Sequence, residues 1–101
     1  MPKLYEYFGL IVLFYSNEHE PIHVHGLYGE TESKAELVVQ NGKVVKIHFV
    51  PVKGRRPLQM RQMKNFRLLV KKYQNDIVQK WIEVFVLHKH VIPQTISRRL
   101  P

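Results

Sequence analysis

Three of the chain's six histidines fall within SNEHEPIHVHG, residues 16–26, together with two of its eight acids. His23 and His25 are two apart. In an extended strand that spacing sends both imidazoles off one face, with Cβ atoms roughly 6–7 Å apart at the strand rise of ~3.3 Å per residue. Two imidazoles so placed can ligate one divalent metal, with His19 or a glutamate of the preceding loop as third ligand. The same residues can also work without a metal, which makes a cofactor an option here and no requirement. Imidazole titrates near neutrality, so His19, His23 and His25, with His48 as a further candidate, could act as general base and general acid. Cleavage of RNA by its own 2′-hydroxyl needs such a pair and a cation to stabilise charge developing on the phosphate. Lys53, Arg55 or Arg56 could supply that cation, provided the basic turn that holds them approaches the histidine strand. A third reading asks for no chemistry. The rings are solvated on an open sheet face, or they hydrogen-bond loop backbone and fix the corner at Pro21.

Other motifs carry less. HVHGLYGE matches part of a cupin metal motif, with Glu30 as its carboxylate, but the flanking glycines are missing and four strands cannot close a cupin barrel. There is no HExxH helix and no GxxxxGK phosphate loop, and KGRRP has too few glycines for one. Ser16, Ser33 and Ser97 lie in no nucleophile elbow. His88 and His90 fall at the end of an expected helix, where the dipole favours a cationic residue.

The elements that must position these residues follow from periodicity. GLIVLFY (9–15) is continuously apolar and β-rich, as a strand buried on both faces would be. SNEHEP is a polar loop closed by Pro21, which holds Glu20 extended. IHVHGLYG (22–29) alternates, with Ile22, Val24 and Tyr28 opposite His23, His25 and Leu27. KAELVVQNGKVVKIHFV is a hairpin of strands 34–40 and 43–50 turning at Asn41-Gly42. A three-residue loop with Gly42 left-handed in a bulge would put Ala35, Leu37 and Val39 on one face with Val45, Ile47 and Phe49. From Leu58 the period becomes helical, and Asp76 with Gln79 resembles a capping box, so helices are expected over 58–73 and 77–88. Their apolar stripe includes Trp81, and Arg61, Lys64, Lys71 and Lys72 fall on the opposite side. The tail, 93–101, is either an arm or a short edge strand around Ile96. Strands first and helices after predict one α+β domain over 1–101, with two helices packed on one face of a mainly antiparallel sheet of about four strands.

Composition bounds the partners. The chain has 101 residues, no cysteine and a net charge of +8. Disulfides and thiolate metal sites are excluded, and a reducing cytosol is the natural compartment. The run GLIVLFY is too short to span a bilayer and lacks the flanks of a signal peptide, so a cytoplasmic protein with no membrane partner is expected. The charge is uneven. Residues 1–36 carry two lysines and six acids, whereas between Leu37 and Asn75 there are ten basic residues and no acid. Such asymmetry favours a polyanion as partner.

MPKLYEYFGLIVLFYSNEHEPIHVHGLYGE, continuing through KAELVVQNGKV, resembles a family of small bacterial proteins classed as domain of unknown function 4160. The shared pattern is an initial Met-Pro, then Phe14-Tyr15, a polar spacer, Glu18-His19, Pro21, His23-x-His25 and Tyr28-Gly29; Trp81 in the last helix also fits. The family more often has Pro-Pro before its His-x-His, where this chain has Ile22. The resemblance implies no activity. It does place the family's defining motif on His19, His23 and His25, and it implies a small protein encoded nearby as partner, in the manner of a toxin–antitoxin pair.

Two functions are therefore expected from the sequence. One is a nucleic-acid-directed protein, RNA-cleaving or RNA-binding, with proton transfer or metal binding at His19, His23 and His25 and phosphates held by Lys53, Arg55, Arg56, Arg61 and Lys64. The alternative is a non-catalytic module that binds a small acidic protein through the same basic surface and an edge strand. A homo-oligomer would cover the histidine face with a second subunit.

Overall fold

The computed structural model describes residues 2–16 and 21–101. It is an α+β fold with a mostly antiparallel sheet of six strands in the order β5-β4-β3-β2-β1-β6, and two helices. The strands are β1 (Lys3–Tyr7), β2 (Leu10–Leu13), β3 (His23–Tyr28), β4 (Thr31–Gln40), β5 (Lys43–Pro51) and β6 (Gln94–Ile96). Helix α1 spans Met60–Lys72; α2 spans Gln74–Trp81 and widens into a π-helix over Ile82–Val86.

The expected four strands are corrected to six. β1 pairs with β2 through Tyr7↔Leu10, across a turn at Phe8 and Gly9 that both adopt positive φ. β6 lies parallel to β1, with Ile96 opposite Tyr7, so the tail is an edge strand. Both additions are short. Alternation over five residues that include Lys3 and Glu6 is a weak signal, and a parallel partner from the far end of the chain leaves no local one.

Side-chain alternation sorts the sheet into two faces. Tyr5, Tyr7, Leu10, Val12, Val24, Ala35 and Leu37 are fully buried or nearly so and form one core with Phe66, Leu69, Val70, Ile77 and Trp81 of the helices. Phe66 makes an edge contact with Phe49 of β5, ring centroids 5.6 Å apart.

The β4–β5 hairpin corrects the expected three-residue loop. Asn41 and Gly42 both have positive φ, 52° and 78°, as a two-residue mirror-type turn requires, and Gln40 pairs with Lys43. The register then shifts beyond Val39↔Val44. The extra residue, Val45, is pushed outward and is 55% exposed. Ile47 and Phe49 thereby rejoin the face of Leu37 and Ala35. Core geometry is preserved by a bulge in the strand and not by a longer turn.

Asp76 is not a cap. α2 starts at Gln74, directly after Tyr73, and the Asp76 carboxylate accepts hydrogen bonds from the buried Tyr5 hydroxyl and from Lys80 Nζ, the latter at 2.9 Å. Burial and then the Asp76 bond push the Tyr5 phenol far above its ordinary value. Burial pushes Asp76 up, but the bonds from Tyr5 and Lys80 outweigh this and hold its carboxyl below the usual value. The two shifts act at opposite ends of the pH scale. Asp76 contributes stability above about pH 4 that is lost as pH falls further, and Tyr5 contributes stability below about pH 10 that is lost as pH rises. Urea midpoints measured from pH 2 to 11 should therefore fall more steeply in the parent than in Asp76→Asn on the acid side. On the alkaline side they should fall more steeply than in Tyr5→Phe. Parallel curves for parent and variants would refute the assignment.

Among the described residues, no helix is long and apolar enough to cross a membrane.

Candidate functional site

The site begins with a glycine. A Cβ built at Gly26 would lie 2.7 Å from the Phe66 ring, so α1 sits against β3 at a point where no side chain fits. Gly26 therefore marks the helix-covered face, and its neighbour His25 leaves the opposite face. His23 follows two residues earlier, as the spacing requires. Neither ring is solvated. His23 is 8% exposed and His25 7%, which corrects the expectation of outward imidazoles on an open face.

What covers them starts with Glu32. The β3–β4 turn at Gly29 and Glu30 pairs Leu27 with Glu32 and His25 with Lys34, which sets Glu32 diagonally beside His25 on one face. Glu32 is 3% exposed. Its Oε2 lies 2.9 Å from His25 Nδ1 and accepts the Tyr15 hydroxyl at 2.9 Å, while its Oε1 lies 3.3 Å from Arg55 Nε. The Tyr15 ring packs edge-on against His25 at 4.5 Å. Arg55 arrives because the basic turn folds back onto β4: the Glu32 amide donates to the Arg56 carbonyl at 2.8 Å, and Thr31 bridges to Arg56.

A carboxylate only accepts, so His25 carries its hydrogen on Nδ1 and, as a neutral ring, its lone pair on Nε2. His23 is oriented the same way, since its Nδ1 lies 2.7 Å from the Pro21 carbonyl. That contact is the corner-fixing bond expected at Pro21. The two rings are 5.3 Å apart, and His23 also meets Trp81 at 5.5 Å. An imidazole held at Nδ1 by a carboxylate or a carbonyl has its tautomer and ring orientation fixed. Among the described residues no group of three histidines or acids could hold a metal ion. His19, expected as the third member, lies outside the described residues.

The other expected site residues divide. Arg55 joins the histidine cluster. Lys53 and Arg56 are exposed in the adjoining turn, and Arg61 and Lys64 are exposed on α1, the layer on the opposite side of the sheet from His25. His48 is exposed and stands opposite Glu36, which in turn faces His23, so Glu36 separates the two histidines. His88 is exposed with a φ of 55° just beyond the π-helix, a helix-terminating position.

Sequence reasoning missed Glu32: it offered a glutamate of the loop before His23, and set aside Glu30, which is exposed in the turn. The usable signal was Tyr28-Gly29-Glu30-Thr31. Read as a two-residue hairpin, it places Glu32 beside His25 by pairing arithmetic alone.

A family model described as Domain of unknown function (DUF4160) matches residues 9–82. The chain belongs to the DUF4160 family. No match was found among curated proteins or solved structures. The DUF4160 segment contains β2 to β5, α1 and α2, and with them Tyr15, His23, His25, Glu32 and Arg55. The two strands it leaves out, β1 and β6, form one edge of the sheet.

Proposed function

We propose that this protein binds RNA, with the outer face of α1 and the neighbouring basic turn holding the phosphates. One observation carries the reading. Arg61, Lys64, Arg67 and Lys71 recur at three- and four-residue steps, so they form one row on α1, and all four are exposed. None of them makes an ion pair among the described residues. The row extends about 15 Å at 1.5 Å per residue, room for several phosphates of a single strand. Lys53 and Arg56, exposed in the turn that precedes the helix, add two further cations.

Fluorescence anisotropy with a labelled uridine 12-mer tests this at several salt concentrations. Binding should weaken as salt rises, because each neutralised phosphate releases counterions. The double variant Arg61→Ala/Lys64→Ala should lose about tenfold in affinity and reduce the salt slope by about 1.4, two contacts at about 0.7 each for single strands. An unchanged slope would remove α1 from the interface.

A second reading, cleavage, is favoured by the Glu32 carboxylate on His25 Nδ1. That contact orients the imidazole and would stabilise its protonated form after it accepts a proton. Arg55 stands beside the pair as the cation. On a denaturing gel of labelled RNA, cleavage that survives chelator and vanishes in His25→Ala would establish metal-free proton transfer. Cleavage only with added zinc or manganese would make the histidines ligands. Intact RNA in every lane would leave binding alone.

A further inference from the structure

β5 is the terminal strand of the sheet opposite β6, and its one strand neighbour is β4. Among the described residues no strand pairs with its outer edge over the nine residues from Lys43 to Pro51. A groove of about 300 Å³ is lined by Val45, Lys46 and Phe49 of this strand and by Lys71 and Gln74 of the helical layer. Lys46 and His48 are two apart on the same strand and both are exposed.

Lysines and a bulge guard an edge strand against its own kind. They do not guard it against a strand of opposite charge. A second copy of this chain would bring Lys46 and His48 towards their own equivalents, where like charges oppose pairing. An acidic strand meets the reverse situation, since no acid occurs in this chain between Leu37 and Asn75. Strand alternation then sets what the partner must look like. Side chains on one side of an added strand enter the groove beside Phe49, and those on the other lie along Lys46 and His48.

We infer that β5 is a docking edge for an extended acidic segment of another protein, one whose apolar and acidic residues alternate. Backbone hydrogen bonds would supply affinity, and the groove with Lys46 and Lys71 would supply selectivity. The inference does not depend on RNA binding by α1.

Titration of the isotope-labelled full chain with the peptide Glu-Val-Glu-Val-Glu-Val-Glu, followed by amide NMR, tests it. Saturable shifts should concentrate on residues 43–51, with slowed hydrogen exchange of β5 amides. Lys46→Glu, an exposed change whose fold is checked by its melting curve, should weaken binding at least tenfold. Arg61→Ala/Lys64→Ala should bind the peptide as the parent does, which keeps this result separate from the RNA assay. Shifts confined to the outer face of α1, no saturation at low salt, or β5 shifts produced by oligouridylate and not by the peptide would each overturn the inference.

Discussion

Glu32→Ala should lower the melting temperature by about 15 °C. The size follows from what the carboxylate serves. The Tyr15 hydroxyl and His25 Nδ1 both point at Oε2, and the Glu32 and His25 side chains are more than nine-tenths buried. Alanine removes the acceptor and leaves a phenol and an imidazole turned towards an apolar gap. Leaving a buried donor without its partner costs about 1–3 kcal/mol per group, so the two donors together stand to lose about 2–6 kcal/mol. The lower half of that range is appropriate because Tyr15 sits less deeply than His25. About 3 kcal/mol in a domain of this size corresponds to roughly 12–24 °C. Arg55→Ala should cost under about 1 kcal/mol, since that side chain is 41% exposed and water can replace much of its interaction. Far-UV circular dichroism melts of the two variants separate these effects. If Glu32→Ala melts within a few degrees of the parent, the carboxylate does not organise the cluster.

The second large effect is expected on the opposite side of the same strand. Gly26→Ala should cost about 2 kcal/mol, within the range for overpacking a filled core. The added methyl would meet Phe66 Cδ1 at 2.7 Å and Cε1 at 2.8 Å, and Phe66 is fully buried with Phe49 beside it. The ring cannot retreat, so α1 must lift. A double-mutant cycle identifies this cause. Phe66→Ala alone should cost about 3–5 kcal/mol through the cavity it leaves. On that background Gly26→Ala should cost almost nothing, because the methyl enters emptied space, giving a coupling of about 2 kcal/mol. Additive effects would show that Gly26 is needed for some other reason.

β3 turns one face to the hydrophobic core and the other to a polar cluster. No buried side-chain nitrogen or oxygen lacks a hydrogen-bond partner among the described residues, so the cluster carries no unpaired buried group. The basic row lies in the other layer. RNA held on α1 and proton transfer at His25 would therefore engage opposite sides of the sheet, and Arg55 and the turn around it form the link between them.

Local pattern determined much of this protein. Alternation in residues 22–29 is enough to send His23 and His25 off one face, the helical period from Leu58 is enough to separate Phe66 and Leu69 from Arg61 and Lys64, and Asn41-Gly42 is enough to turn the hairpin. These are properties of neighbouring residues, which the chain expresses before it folds. Charge asymmetry belongs with them, since counting it needs no structure. Tertiary structure alone decided the rest. Whether the histidines were bare or buried depended on Tyr15, Glu32 and Arg55 arriving from three other segments. The role of Asp76 depended on Tyr5, seventy-one positions away in the chain, which converted a helix cap into a cross-sheet bond. The bulge at Val45 depended on a conflict between the turn that Asn41-Gly42 prefers and the face that the core requires. β1 and β6 needed each other as neighbours. Pairing between distant segments is decided by the free energy of the assembled core, and no window of sequence contains that sum.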